Sequence, residues 1–484
     1  MLVRYRTALR PELVLSTARG QPSIPFYRVA KVGFYSNFQN SENKIYLSAT
    51  KYFFHFMRVF IREAKIVDPR SSFNGQVVDL LIENGKIAQL GKGLSVPDAD
   101  HSSDSTIVIQ EKGLHLSPGW VDIFVQFHDP GQEHKETLDS GTAAAAAGGF
   151  TEVFSVPNTT PAVQGKSQVE YIVRRSPLLP AFVHPIGAVS QNLEGKELAE
   201  MYDMHASGAK AFGDGWKTIQ SSGLLLKALQ YVKAIGGTVI QVPDDNSIGS
   251  HGLMHEGIVS TRMGMQGKSI LAEEIMVHRD LKLLEYTHSK LHFTGITSPV
   301  SIQAVHEARQ RGLQVTCSVS PHHLWFCDED LEGYDTNLKV NPPIRNREQM
   351  MALRQAVIDG KVDLISSHHL PQDWDSKVCE FEYAKSGAIG LESSFGAAWS
   401  LLGNSIPLER WVELASISPR KVFGLDAAEI REGHPANLTL FLPDQEYVFT
   451  EGHIRSKSKN TPFLDKTLKG VVKGTILHSH LTIQ

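Results

Sequence analysis

Histidine is the residue type in this sequence with the widest chemical range. The chain of 484 residues contains 21 histidines. Several lie near the loops that we predict at the mouth of a barrel of strands and helices, and these are His128, His184, His251, His255, His322, His368 and His369. Three neutral imidazoles in tetrahedral geometry bind zinc, and a histidine near neutral pH also transfers protons. These positions therefore point to a metal site or to acid–base chemistry, if the fold brings them together.

The elements that would position these histidines alternate between strand and helix from Leu116 onward. Strand candidates are GWVDIFV, TEVFSVPN, FVHPIGAV, AKAFGD, TVIQV, LHFTGI, LQVTCSV and VDLISS, separated by helical segments such as KSQVEYIVRR and VSIQAVHEARQRG. Such alternation indicates parallel β/α units, and about eight strands favour a TIM-type barrel over an open sheet. The alanine-rich tract at 143–149 predicts a closely packed barrel helix. Barrel enzymes carry their chemistry on the loops after the strands.

The two ends of the chain lack the alternation of strand and helix and instead read as short strands. Residues 57–115 read as short strands broken by Asp-Pro, Asn-Gly and Glu-Asn-Gly turns, and residues 430–484 are again strand-like. We predict one small β-sandwich built from both segments, beside a barrel at 116–429. Residues 1–56 are basic, poor in acids and without a period. A disordered tail, sequence upstream of a mis-assigned start codon and a transit peptide all remain open for this extension.

Blocks that follow the predicted strands resemble those of dihydroorotases. The likeness extends over nearly all of 57–484. The blocks are GWVDIFVQFHDPG at 119–131, SVPNTTPAV at 155–163, SGAKAFGDG at 207–215, HEGIVSTRMGMQGKSILAEE at 255–274, VTCSVSPHHL at 315–324, LKVNPPIR at 338–345, VDLISSHHLPQ at 362–372, GAIGLESSFG at 387–396 and KNTPF at 459–463.

The resemblance implies an α/β fold, a (β/α)8 TIM-type metallo-dependent-hydrolase barrel. It also implies a binuclear metal centre whose hydroxide attacks a ring amide and interconverts carbamoyl aspartate and dihydroorotate. The family begins its first barrel strand with Asp-x-His-x-His-x-Arg, whereas here Asp122 is followed by Phe124, Gln126 and His128. A phenyl ring has no lone pair for a metal, and a neutral amide oxygen is a weak zinc ligand.

The other ligand positions implied by the resemblance are also substituted. The family's His-x-Glu-Asp block begins here with Gln241, and a later ligand histidine is replaced by Gly295. His368 takes the place of the aspartate that relays the proton. Asp214 matches an acidic position near the metals, and we expect it to be the one family-like metal candidate. One carboxylate cannot hold two divalent ions.

The resemblance also indicates residues that would contact a substrate. His128 stands where the family has the arginine that binds the substrate carboxylate, and Asn158, Asn341 and His323 match other parts of the substrate cradle. For Asn158 a turn residue before Thr-Thr-Pro is an equal alternative. For the His322–His323 pair a hydrogen-bonded structural role is the alternative.

Composition excludes several classes of protein. The 48 Lys and Arg residues nearly balance the 52 Asp and Glu residues, giving a formal charge of -4, so no broad field attracts nucleic acid or an anionic membrane. Three cysteines without a Cys-x-x-Cys spacing form no disulfide framework. No run approaches the roughly 20 apolar residues of a membrane helix. We expect a cytoplasmic protein.

Three functional hypotheses follow. The first is a non-hydrolytic, dihydroorotase-like pseudoenzyme of pyrimidine biosynthesis that acts as a structural or regulatory partner or as a ligand binder. Such a protein would need no cofactor. The resemblance suggests aspartate transcarbamoylase as a partner and a homodimer as the assembly. The second is an active dihydroorotase or related cyclic amidohydrolase with a rebuilt zinc site, in which His128, Asp214, His322 or His368 is essential for turnover. The third is a binder of a different, pyrimidine-like small molecule in a drier pocket next to Phe124.

Overall fold

The computed structural model describes residues 54–55, 58–96 and 106–484. Apart from the strand at Phe54–His55, the predicted N-terminal extension lies outside the described residues. The strands are β1 Phe54–His55, β2 Arg58–Ile66, β3 Val77–Glu83, β4 Lys86–Gly91, β5 Ile107–Gln110, β6 His115–Pro118, β7 Trp120–Val125, β8 Phe150–Ser155, β9 Phe182–Gly187, β10 Ala211–Phe212, β11 Thr238–Gln241, β12 Met254–His255, β13 Gly267–Lys268, β14 Lys290–Phe293, β15 Gln314–Val319, β16 Leu364–Ile365, β17 Asn437–Val448, β18 Thr467–Leu477 and β19 His480–Ile483.

Helices alternate with the strands in the middle of the chain. They are α1 Leu138–Ala147, α2 Lys166–Arg175, α3 Met201–Ala206, α4 Ser222–Ala234, α5 Ile258–Met263, α6 Leu271–Thr287, α7 Pro299–Gln310, α8 Pro321–Trp325, α9 Arg347–Ile358, α10 Ser394–Leu402, α11 Leu408–Val412 and α12 Ser418–Phe423. Within the described ranges, none of the helices is both long enough and apolar enough to span a membrane.

Eight strands form the barrel, and all neighbours are parallel. Their order is β7, β8, β9, β10, β11, β14, β15 and β16. The first and last strands meet where the backbone N–H of Gln126 donates to the carbonyl of His369 at 2.9 Å, and Val125 pairs with the same residue. The predicted (β/α)8 TIM-type fold is confirmed. The loops that follow the strands therefore converge at one end of the barrel.

A second sheet joins the two ends of the chain. It contains nine strands in the order β1, β19, β18, β17, β6, β2, β3 and β4, with β5 beside β2. Its apolar side chains form a core of their own that includes Ile61, Leu80, Leu116, Leu438 and Ile476. The β-sandwich domain predicted from both termini is thus present, because strands more than 300 residues apart in sequence pair in one sheet.

Large aromatic side chains connect the barrel to this second domain. Trp120 on β7 lies 4.8 Å from Phe395, 5.5 Å from Trp411 and 5.4 Å from Phe441, measured between ring centroids. Phe441 belongs to β17 of the second sheet. Edge-to-face and tilted aromatic pairs at such distances stabilise beyond the burial of their area. The first barrel strand, which carries the candidate site, is therefore fixed at its amino end.

The alanine-rich helix α1 packs as closely as its sequence predicts. A Cβ added at Gly141 would lie 2.2 Å from the ring of Phe127, and one added at Gly148 would lie 2.2 Å from the carbonyl oxygen of Leu391. Small residues let this helix approach the strands closely, and the tract is part of the barrel wall.

Candidate functional site

Asp122 on β7 begins the motif that resembles the family's metal-binding strand. Its carboxylate is fully buried. One oxygen accepts hydrogen bonds from the N–H of Phe124 at 3.0 Å and the hydroxyl of Ser366 at 2.7 Å, and the other accepts from the N–H of Ser367 at 2.7 Å. Burial raises the pKa of Asp122, while these hydrogen bonds act in the opposite direction. Asp122 thus ties the first barrel strand to the loop after the last one.

Three rings, which we call the aromatic cluster, pack together at the barrel mouth. The ring of Phe124 lies 4.8 Å from that of Trp216 and 5.0 Å from that of His368, and Trp216 lies 5.4 Å from His368 at an angle of 88°. Phe124 is 1% exposed. The position that carries a ligand histidine in the family is therefore part of an apolar contact in this chain.

The ring of His368 packs directly against the backbone of Gly295 and leaves no room for a side chain there. A Cβ built on Gly295 would lie 2.3 Å from Cε1 of His368, well inside van der Waals contact. The φ of Gly295 is +71°, a region that glycine enters without steric penalty. The ring of His368 therefore occupies the place that a side chain at 295 would need.

Gln126 and His128 bond to each other and to the backbone. Nε2 of Gln126 donates to the carbonyl of Asn158 at 2.6 Å and lies 3.1 Å from Nδ1 of His128. Nε2 of His128 lies 2.9 Å from the carbonyl oxygen of Pro371, which can only accept, so Nε2 carries the ring proton. Burial and the charge of Lys135 lower the pKa of His128 to about 4. His128 is neutral with both nitrogens occupied, and this geometry gives no support to its expected contact with a substrate carboxylate.

Three further predicted positions make hydrogen bonds within the fold. Nε2 of Gln241 donates to the carboxylate of Asp280 at 3.3 Å. One oxygen of Asp214 accepts from the N–H of Ser190 at 2.9 Å, and burial raises the pKa of Asp214. Nδ2 of Asn158 donates to the carbonyl of Asp214 at 3.1 Å. Asn158 thus binds the loop after β10, a contact that neither of the two roles considered for it above describes.

A cavity of about 390 Å³ lies among the loops that follow the barrel strands. Two predicted residues, His323 and Asn341, line it together with His322 and His368. The ring nitrogens of His323 are 2.8 Å from the hydroxyl of Ser320 and 2.8 Å from the carbonyl of Pro342, and burial lowers the pKa of His323 to about 4. A neighbouring cavity of about 360 Å³ is lined in part by Asp214 and Asn341. These cavities are the candidate binding site.

His369, the neighbour of His368, lies outside this cavity lining. Its Nδ1 accepts from the N–H of Gly390 at 3.2 Å, and its Nε2 faces the carboxylate of Glu136 at 3.7 Å. Both side chains are fully buried. Burial opposes ionisation of Glu136, but the contact with His369 and hydrogen bonds from Ser140 and Ser456 keep its pKa below the usual value. Of the two adjacent histidines, His368 is the one placed for contact with a ligand.

The donor set does not fit the binuclear metal centre that the resemblance implies. In the parts of the chain that the structure describes, no group of three or more His, Cys, Asp or Glu side chains is arranged to hold a metal ion. Asp214 accepts three hydrogen bonds within the fold, and Asp122 is equally engaged. A divalent ion would have to displace these bonds, and tetrahedral zinc needs three or four donors at once.

Sequence reasoning missed two residues that shape the cavity. Trp216 belongs to the aromatic cluster, and Lys268 forms an ion pair with Asp244 at 2.5 Å. Trp216 follows strand β10 closely, so the rule that strand-end residues line the barrel mouth would have drawn attention to it. Lys268 sits on the short strand β13, outside the barrel sheet, and no periodic signal marks it.

Comparison with solved structures defines the class of fold. The chain superimposes on an L-hydantoinase (dihydropyrimidinase) from Arthrobacter aurescens with a TM-score of 0.75 and 22% sequence identity, over 87% of this chain and 95% of that one. A dihydropyrimidinase from Brevibacillus agri gives a TM-score of 0.74 at 19% identity, over 88% of this chain and 95% of that one. The molecule has the barrel and β-sandwich fold of these proteins.

Sequence comparison gives the family. A family model described as Dihydro-orotase-like matches residues 113–301. The chain is 37% identical to the dihydroorotase of Syntrophus aciditrophicus over 88% of its own length and 100% of that protein. It is also 37% identical to the dihydroorotase of Geobacter sulfurreducens, over 87% of its length and 100% of that protein. The chain belongs to the dihydroorotase family.

Proposed function

We propose that this chain is a dihydroorotase-like protein of pyrimidine biosynthesis that binds a small molecule at its barrel mouth and does not hydrolyse it. One observation carries the proposal: the aromatic cluster takes up positions 124 and 368, where the family has a ligand histidine and the relay aspartate. Retention of the fold and of a cavity supports binding. The lack, among the described residues, of three His, Cys, Asp or Glu side chains placed to hold a metal supports the absence of hydrolysis.

The energetic argument concerns the attacking water. A metal lowers the pKa of bound water from 15.7 to about 7, which supplies hydroxide at neutral pH. Without a metal, the fraction of the attacking water that is ionised at neutral pH is lower by roughly eight orders of magnitude. His368 cannot replace the metal, because burial holds its pKa well below the usual value and a neutral imidazole supplies no charge to stabilise a tetrahedral oxyanion.

An active enzyme with a rebuilt site is the second candidate. The observation in its favour is that His322, His323 and His368 line one cavity. Both ring nitrogens of His323 already have partners, so a mononuclear zinc site would require His323 to rotate away from Ser320 or Pro342. A single metal content measurement distinguishes the two candidates.

The experiment measures bound metal and turnover on the full chain, purified without chelator and incubated with zinc and with manganese. The dihydroorotase of Geobacter sulfurreducens, treated in parallel, is the control. We expect a metal-to-chain ratio near zero by plasma mass spectrometry and no interconversion of carbamoyl aspartate and dihydroorotate above the buffer blank. A ratio of one or two, with turnover that His368→Ala abolishes, would refute the proposal.

A scaffolding role is a separate part of the proposal. Aspartate transcarbamoylase is the first partner to test, since it acts in the same pathway as dihydroorotase. Co-elution of the two purified proteins, measured by light scattering with a mass equal to a defined complex, would support this role. Independent elution at micromolar concentrations would contradict it and leave ligand binding as the function.

A further inference from the structure

The segment between β16 and α10 exposes three large apolar side chains. Trp374, Val378 and Tyr383 are 73%, 57% and 72% exposed. The N–H of Val378 donates to the carbonyl of Trp374 at 2.9 Å, so these two side chains lie on one face of a single helical turn. Clustered exposed apolar side chains mark contact sites, whereas scattered single ones carry no such meaning. We call residues 373–387 the exposed loop.

Two buried lysines fix the backbone of the exposed loop from the inside. Nζ of Lys377 donates to the carbonyls of Lys385 and Gly387, both at 2.9 Å. Nζ of Lys339 donates to two further loop carbonyls at 2.7 and 2.8 Å. Both lysines are buried, as is the ring of Phe381 in the middle of the loop. Since its backbone is already held, the loop loses little conformational entropy when a partner binds.

The charges at the surface of the exposed loop are mostly negative. Its exposed charged side chains are three carboxylates, Asp375, Glu380 and Glu382, and one ammonium group, Lys385. Asp373 is partly buried and lies 4.0 Å from Nζ of Lys135. An acidic rim around apolar side chains attracts Lys and Arg of a partner. A two-fold contact between copies of this chain would instead place the same acids opposite each other.

The exposed loop continues into the wall of the cavity of about 390 Å³. Ser386 and Gly387, at the end of the loop, line that cavity together with Leu370. The N–H of Gly387 donates to the carbonyl of Lys339 at 2.9 Å, which joins the end of the loop to the segment that supplies one of the two buried lysines. A protein bound to the loop would therefore contact a segment that also forms the cavity wall.

We infer that the exposed loop is a docking surface for a partner protein that presents apolar side chains flanked by Lys or Arg. Trp and Tyr are the residues that most often dominate binding energy at protein interfaces, and Trp374 and Tyr383 supply them here. The acids of the loop favour a basic partner over a second copy of this chain. The inference goes beyond the proposed ligand binding and does not depend on it.

The test is fluorescence anisotropy of two labelled peptides titrated with the full chain. Both peptides carry the same leucines, which are separated by arginines in one peptide and by glutamates in the other. We expect saturable binding of the arginine peptide alone, weakened at least about tenfold by Trp374→Ala. Tyr286→Ala is the matched control, because Tyr286 on α6 is also 73% exposed, and it should leave the affinity unchanged.

The contribution of charge is tested by the double variant Glu380→Gln/Glu382→Gln. It should weaken binding of the arginine peptide at least about threefold in low salt and reduce the dependence of the affinity on salt. Glu197→Gln/Glu200→Gln, which removes two exposed carboxylates elsewhere, should change neither quantity.

Tyr383→Ala provides a second apolar variant if Trp374→Ala lowers the melting temperature. No saturable binding of the arginine peptide, equal binding of both peptides, or equal losses for Trp374→Ala and Tyr286→Ala would overturn the inference. Sedimentation velocity of the wild type and of Trp374→Ala tests the other occupant of the loop. A dimer that Trp374→Ala dissociates would show that the loop binds a second copy, and it would also overturn the inference.

Discussion

Adding a single methyl group at position 295 tests whether His368 has replaced a ligand side chain in space. The substitution Gly295→Ala places a Cβ 2.3 Å from Cε1 of His368, at a φ of +71°. The left-handed backbone alone disfavours alanine by about 1 kcal/mol. The collision adds about 1–3 kcal/mol, the usual range for overpacking a buried site. We therefore expect the free energy of unfolding to fall by about 2–4 kcal/mol.

The chain provides a control with the same backbone and no collision. Gly236 has a φ of +69° and no atom within 4 Å of an added Cβ. Urea unfolding followed by circular dichroism should show a loss of only about 1 kcal/mol for Gly236→Ala. In the His368→Ala background, Gly295→Ala should also cost about 1 kcal/mol, so the coupling energy would be about 1–3 kcal/mol. Equal losses for Gly295→Ala and Gly236→Ala in the wild-type background would refute the steric argument.

Two further predictions concern stability. Burial and Arg345 lower the pKa of His255 to about 4, so the stability that this neutral ring contributes is lost as the pH falls from the unfolded pKa of about 6.5 towards 4. Between pH 6.5 and 5 the wild type should lose about 2 kcal/mol more than His255→Asn, because the other buried histidines contribute equally in both proteins. Identical slopes of unfolding free energy against pH in the two proteins would contradict this. Burial would raise the pKa of Glu152, but His184 and Arg420 hold it at about 2, so Glu152→Gln should lower the stability measured by calorimetry by about 3–5 kcal/mol. The control is Glu194→Gln, which removes an exposed ion pair with Lys196 and should change stability by less than about 1 kcal/mol. Similar melting temperatures for both variants would count against the buried network.

Much of the barrel could be predicted because its signals are local. The segments KSQVEYIVRR and LQVTCSV coincide closely with α2 at Lys166–Arg175 and β15 at Gln314–Val319, since apolar periodicity and β-branched residues act over a few neighbouring positions. The substitutions at Phe124 and Gly295 were also visible in the sequence, because the flanking motifs set the register.

The candidate site was predicted less completely. His323 and Asn341 do line the cavity, while His128 is bonded to Gln126 and Pro371. Whether a residue at the end of a strand faces the cavity or bonds to the backbone depends on distant partners. For His128 that partner, Pro371, is 243 positions away in the sequence. Sequence spacing carries no information about such pairs.

The sequence by itself determined the family, the alternation of strand and helix, and the types of residue at the former ligand positions, because these follow from the order of residues along the chain. The tertiary structure decided what those residues do. Only in three dimensions does His368 fill the space next to Gly295, and only there does Asp244 neutralise Lys268. Each of these depends on distances between residues far apart in sequence, which only the folded barrel and its loops establish.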